Sequence, residues 1–427
     1  MLYHSRMRIR PILVTVLLVA LLSGCAHDPT DHPYHIQHEY SVADPQFRRT
    51  MGSLLGPPIV EGNSVTALVN GQQFFPAMLE AIQSAKQTIN IETYVYSTGD
   101  VGEKFAKALA EKAKQGVKVH VIVDGVGRDP TMLGYVKQIK ESGGQVIEYH
   151  PLHWFALTAA QHRNNRTHRK LLIVDGTVGF TGGAGVSDHW TGNADSPEHY
   201  RDTHYRVKGP AVAQLQAAFL DNWMETTGQV LTGKDYFPPL QNQGNESAQV
   251  FKSSPDNGSE SMELLYLLSI AAAQKNIRLA TAYFVPDHIA IQALLDARKR
   301  GVSVQILVPG KYIDVKVVRP ASRARWGEML QAGVQIYEYQ PTMYHVKQMI
   351  VDDQWVSIGS ANLDNLSFKL NDEANLNVLD HAFAQEQIHL FEDDLRHSQQ
   401  ITYDQWQHRP FNERLIEGFT TLFGFVM

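Results

Sequence analysis

The sequence predicts an α/β fold made of two similar halves, each a mixed or parallel β-sheet with helices on both faces. The first observation behind it is a repeat: the segment from Leu109 to Asp124 recurs from Leu294 to Pro309. Length is the second, because 427 residues exceed what one small core organises and leave room for two. Composition is the third: 43% hydrophobic and 19% charged residues describe a soluble globular chain, and exclude a disordered or multi-span membrane one.

The chain opens with an export signal. Arg6, Arg8 and Arg10 precede an uncharged run from Pro11 to Leu22. That run is too short to cross a hydrocarbon core about 30 Å thick, which takes a helix of about 20 residues. Leu22-Ser23-Gly24-Cys25 follows, with small residues that let a peptidase approach and a thiol suited to a thioether with diacylglycerol. Residues 1–24 are therefore expected to be a signal peptide and Cys25 the lipid anchor of the mature chain. The pattern resembles bacterial lipoproteins. By that resemblance Ala26, where an aspartate would retain the protein at the inner membrane, points to the periplasmic face of the outer membrane. Residues 25–58, rich in Asp, His and Pro, are expected to form a tether.

Both copies of the repeat read as helix, glycine cap, strand. Gly116 and Gly301 sit where a helix would end, and Val117–Val123 and Val302–Val308 are β-branched, apolar runs of the kind found in buried parallel strands. Each is preceded by another strand candidate, Ile89–Tyr96 and Ile277–Phe284, so the unit is βαβ. Residues 59–230 and 249–400 form the two halves. The polar stretch from Leu240 to Ser247 marks the linker, 231–248.

Each half carries the spacing His-x-Lys-x-x-x-x-Asp: His168, Lys170 and Asp175 in the first, His345, Lys347 and Asp352 in the second. These six are the candidate catalytic residues. The apolar interior of each motif predicts a strand, on which the histidine and lysine share one face while the aspartate lies on the other, available to brace adjoining backbone. A Gly-rich turn follows each motif, Thr181–Gly185 and Ile358–Asn362, and its amides suit an anion.

These motifs, with the lead-in from Asn164, the run through Asp364 and the segment Asn371–Asn375, resemble the phospholipase D superfamily, most closely its bacterial cardiolipin synthase-like branch. The resemblance implies two α/β lobes related by a pseudo-twofold axis, one active site where both motifs meet, and no metal or other cofactor. It implies that His168 is the nucleophile, forming a phosphohistidine, and His345 the acid and base for the departing and entering alcohols, or the reverse. Lys170 and Lys347 would hold the nonbridging oxygens with Asn362; Asp202 and Glu373, each downstream of the histidine of its own half, would orient a catalytic imidazole. Gly185 departs from the branch, which carries an asparagine there as at Asn362. The first half therefore has one side-chain phosphate ligand fewer.

The expected function is that of a phosphatidyltransferase making cardiolipin from phosphatidylglycerol. Rivals are a phospholipase D hydrolase releasing phosphatidic acid, a phosphodiesterase or nuclease, and a silent envelope scaffold. The formal net charge of −6 disfavours a nucleic-acid partner. The lone cysteine excludes an internal disulfide and a cysteine zinc cluster, and no histidine pair or Asp-rich loop spells a metal site. His162, His199 and His389 read as satisfied packing residues rather than catalysts; His204 and Tyr205 are divided between lining the site and structure, as Trp154 and Phe155 are between a lipid-facing lip and the core. Phe411, Leu415, Phe419, Leu422, Phe423 and Val426 recur at helical spacing, so 401–427 is expected to hold an amphipathic helix facing either a bilayer or the second lobe.

Overall fold

In the computed structural model residues 34–127, 129–151, 165–255 and 261–421 are described. Tyr34 and His35 belong to an amino-terminal unit and carry no helix or strand; Ile36 onward forms the other unit. The signal peptide, Cys25, Trp154, Phe155, His162, Asn164, Leu422, Phe423 and Val426 lie outside the described residues.

The repeat is visible strand by strand. In the first half Gln145–Tyr149, Lys118–Asp124 and Thr88–Thr93 pair in parallel, and Leu171–Val174, Val178–Gly182, Thr203–Lys208 and Val60–Val69 continue antiparallel. The second half repeats this order with Gln335–Tyr339, Ser303–Pro309, Asn276–Ala280, Gln348–Val351, Trp355–Gly359, Asn371–Leu379 and Glu246–Ser253. The expected mixed sheets are present. They are joined: Val60–Val69 pairs antiparallel with Glu246–Ser253, so one sheet runs through both halves. The second half therefore begins at Glu246, inside the stretch expected to be linker.

Periodicity explains the layers. In Leu171–Val174, Leu172 and Val174 pack into one hydrophobic cluster with the helices Asn70–Ser84 and Asp100–Lys114, while Leu171 and Ile173 pack into another on the opposite face. The second cluster includes the helix Val212–Thr227 of the first half together with Ile350, Val356, Leu376 and Phe383 of the second, so the halves share a core. Gly116 and Gly301 end their helices with φ of 87° and 91°, the left-handed conformation their place after a helix predicts.

Two segments depart from expectation. The tether expected to extend to residue 58 becomes part of the body: Pro45–Thr50 is helical, Phe47 and Met51 are buried, and Phe47 meets Trp355 edge-on at 4.9 Å. The C-terminal helix Phe411–Thr421 exists, and it docks by its polar side. Glu417 is 2% exposed and bonded to Arg409 at 2.6 Å and Arg323 at 3.4 Å, and Glu413 reaches Arg323 at 3.4 Å. Phe411, Leu415, Ile416 and Phe419 point outward at 71%, 58%, 54% and 63% exposure. Among the described residues no helix is long and apolar enough to cross a membrane.

Candidate active site

The two histidines face one cavity of about 440 Å³, lined by Tyr94, Val95, Trp190 and Arg166 from the first half and Tyr283, Asp314, Asn362 and Asp364 from the second. Each precedes a strand that delivers it. His168–Lys170 is irregular backbone held by the amide of His168 donating to the Asp372 carbonyl at 2.9 Å, and the strand begins only at Leu171. His345 is held likewise, its amide donating to the Arg201 carbonyl at 2.8 Å. The predicted continuous strand is thus shorter at its start, because these amides bond across to the other half.

The carboxylates that orient the imidazoles are crossed between halves. Glu373 accepts from Nδ1 of His168 at 2.9 Å and 3.0 Å, and Asp202 lies 2.8 Å from Nδ1 of His345. Both acids are fully buried. Asp202 also accepts from the Trp190 indole at 2.9 Å and the Thr203 amide at 2.8 Å, and Glu373 from the Ser360 hydroxyl. With Nδ1 engaged, Nε2 is the nitrogen each imidazole offers for chemistry. Gly183 makes this possible in the first half: a Cβ there would lie 2.5 Å from Asp202 Oδ1.

Lys170 Nζ donates to the His168 carbonyl at 2.5 Å, and Lys347 Nζ to the His345 carbonyl at 2.7 Å while lying 3.0 Å from its Nδ1 and 3.2 Å from its Nε2. Burial sets the charge state of this group. It pushes His168 down to about 4, with Lys170 and Lys347 adding to the effect against the Glu373 charge. His345 is also lowered, by burial and by Lys347. Burial lowers Lys170 to about 7 and Lys347 to about 8. For Asp202 and Glu373, burial works upward but is outweighed by the histidine each holds and by the lysines, so both stay below the usual carboxylate range. His168 is thus a neutral imidazole on an ionised Glu373, beside lysines that readily lose a proton; an anion between them favours the charged forms of the lysines and of His345.

Asn362 is buried at the cavity wall, its Oδ1 3.4 Å from the Tyr283 amide. Gly185 occupies the equivalent place in the first half. A Cβ there would stand 2.8 Å from the Val95 Cβ and 3.4 Å from the Trp190 ring, so that wall is filled by apolar neighbours.

Asp175 and Asp352, grouped with the catalytic residues from sequence, are not in the cavity. Asp175 accepts from the amides of Lys86, Gln87 and Thr88 at 2.7–3.1 Å, and Asp352 from Gln274, Lys275 and Asn276 at 2.7–3.0 Å. They pin the starts of the neighbouring strands, the bracing role their opposite face suggests, and they are structural residues. His204 and Tyr205 also point away: His204 packs against Phe74, and the Tyr205 hydroxyl donates to Gln387 in the shared core. His199 and His389 are not the packing residues expected: His199 is half-buried beside Asp195 and Ser196, and His389 is exposed on its helix.

Sequence reasoning missed Arg169. It sits between the motif histidine and lysine, fully buried, and donates to the carbonyls of Ala218 at 2.8 Å and Ser253 at 2.9 Å and to Asp221 at 3.1 Å. It ties the first motif to the second half. Arg201 is a second such tie, bidentate to Asp394 at 2.8 Å on both oxygens. Alternation around the motif is the signal that finds Arg169, since a residue between two site-facing side chains faces the core. Among the described residues no cluster of three or more His, Cys, Asp and Glu is arranged to hold a metal.

Comparison with known proteins agrees with this geometry. The family model described as cardiolipin synthase, PLD-like domain, matches twice, over residues 78–223 and 266–395. The chain is 35% identical over 367 residues to a cardiolipin synthase of Geobacillus kaustophilus, covering 86% of this chain and 72% of that one, and 35% identical over 379 residues to cardiolipin synthase 1 of Bacillus anthracis, covering 86% and 73%. In fold it is similar to the crystal structure of phosphatidylserine synthase from Haemophilus influenzae, with TM-score 0.68 at 14% identity over 90% of this chain and all of that one. Polyphosphate kinase from Porphyromonas gingivalis also shares the fold, with TM-score 0.55 at 13% identity over 94% of this chain and 59% of that one. With two matched domains and relatives aligned over most of both chains, this protein belongs to the phospholipase D-like cardiolipin synthase family.

Proposed function

We propose that the protein is a phosphatidyltransferase that makes cardiolipin and glycerol from two molecules of phosphatidylglycerol through a covalent phosphatidyl-histidine. The observation that carries this reading is the crossed arrangement: two imidazoles on one cavity, each held at Nδ1 by a buried carboxylate of the other half, with a lysine beside each. Nε2 of His168 attacks phosphorus as the bond to the headgroup oxygen breaks, and His345, which takes up a proton at Nε2 as the phosphodiester anion arrives, gives that proton to the departing glycerol. A hydroxyl of the second phosphatidylglycerol then attacks phosphorus, His345 takes that proton, and the nitrogen–phosphorus bond breaks. Lys170, Lys347 and Asn362 stabilise the charge on the nonbridging oxygens. Burial of the site, which lowers both imidazoles and both lysines, supports a neutral nucleophile and a charge state set by the arriving phosphodiester.

The address is part of the proposal. A diacylglyceryl group on Cys25 would hold the chain at the outer membrane, and the outward apolar row Phe411, Leu415, Ile416 would rest on the bilayer that supplies substrate. Incubating the detergent-solubilised protein with labelled phosphatidylglycerol and resolving products by mass tests the activity. Cardiolipin and glycerol are expected, and both are lost in His168→Asn and in His345→Asn. Phosphatidic acid alone would make the protein a hydrolase, and no histidine-dependent lipid product would overturn the reading.

A further inference from the structure

The twofold repeat is broken at the walls of the cavity. Val95 and Tyr283 occupy equivalent places, each two residues after a threonine whose hydroxyl donates to its carbonyl at 2.9 Å. Gly185 and Asn362 are likewise equivalent. The first half thus presents Val95, Trp190 and Tyr94 to the cavity, and the second presents Tyr283, Asn362 and Asp314. The Tyr283 hydroxyl lies 2.9 Å from both oxygens of Asp314, and the Val315 amide donates to Oδ1 at 2.7 Å. A carboxylate offers about four lone-pair positions, so Asp314 keeps acceptor capacity toward the cavity. It is an odd charge for a site that takes phosphodiester anions, and its field acts on His345 and Lys347, favouring the protonated form of each.

We propose that Asp314, held by Tyr283, is the subsite for the hydroxyl groups of a polyol headgroup, and that it places the leaving and entering alcohol on the His345 side of the cavity. The proposal rests on the phosphatidyltransferase reading and names what selects its alcohol. A carboxylate receives hydroxyl donors or an ammonium group; Arg166 and Lys170, which line the same cavity, repel the ammonium and favour the neutral polyol. The apolar wall of Val95 and Trp190 then faces the glyceride part of the lipid. Asp314 and Tyr283 are positioning and specificity residues; His345 is the group that exchanges the proton.

The test compares phosphatidylglycerol with phosphatidylpropanol, which has the same chain length in its headgroup and no hydroxyls, in detergent micelles with excess ethanol as the common acceptor of the phosphatidyl group, for the wild type, Asp314→Ala and Tyr283→Phe. Headgroup release is measured as kcat/KM. The wild-type preference for phosphatidylglycerol should fall by about tenfold or more in both variants, because a site built for a hydroxyl discriminates strongly against its absence. Loss of the Asp314 field on His345 and Lys347 slows both lipids alike and cancels in the preference, and an unchanged thermal unfolding midpoint serves as the control for folding. Taking the ratio to wild type cancels the difference in leaving-group acidity. A preference that survives in both variants would overturn the subsite while leaving the transferase intact. A wild-type preference for phosphatidylethanolamine that disappears in Asp314→Ala would assign the carboxylate to an ammonium instead. Absence of any headgroup release by the wild type would remove the function and the subsite together.

Discussion

At the scale of single residues, burial and charge pairing decide the chemistry. His168, lowered to about 4, is neutral over the physiological range and free to act as a nucleophile, while Lys170 and Lys347, lowered to about 7 and 8, are the groups whose charge varies there. The sign follows. The free enzyme binds a phosphodiester with charged lysines and a neutral His168, so kcat/KM should rise as pH climbs past the His168 value and fall as it passes those of the lysines. Lys170→Arg, which keeps its charge, should move the alkaline limb upward; steady-state kinetics in buffers spanning both limbs would show it, and a limb that stays put would assign it elsewhere. The motif residues were legible from the sequence because their spacing recurs at equivalent places in the repeat. The partners of the imidazoles were not: Asp202 and Glu373 were recognised as candidates, but distance along the chain favours pairing each with the histidine of its own half, and the fold does the reverse. Arg169 escaped for a related reason, since its partners Ala218, Asp221 and Ser253 are all remote in sequence.

At the scale of elements, local patterns gave strands and caps correctly and gave orientation less well. The helix–glycine–strand units fall where Gly116 and Gly301 end their helices, because only local geometry is involved. Pro45–Thr50 was hidden, since the feature that fixes it is Phe47 meeting Trp355, a contact between distant segments. The helix Phe411–Thr421 was legible as amphipathic, but the side that meets the protein was settled by Arg323 and Arg409, which bind its glutamates. An apolar row left facing out costs solvation in water and gains it at a lipid interface. Replacing Phe411 and Leu415 by serine should therefore slow turnover of phosphatidylglycerol in vesicles several-fold and leave turnover in detergent micelles unchanged. Equal rates in vesicles for variant and wild type would detach the helix from the membrane.

At the scale of the whole molecule, the duplication explains why neither half is a complete catalyst. The halves share one sheet through Val60–Val69 and Glu246–Ser253 and one core through the helix Val212–Thr227. Each supplies a histidine that only the other can orient, with Arg169 and Arg201 holding the two in register. Symmetry makes the site, and its breaking at Val95 and Tyr283 gives the two sides different work. The central claim is a covalent phosphatidyl-histidine shared in this way. It is tested most directly by mixing the protein with phosphatidylglycerol, quenching in alkaline denaturant and mapping the adduct by mass. A phosphatidyl group on the peptide containing His168 in the wild-type protein, absent in His168→Asn and in His345→Asn, which lacks the acid for the departing glycerol, is the predicted result. Turnover with no adduct on either histidine in any of the three proteins would contradict the account.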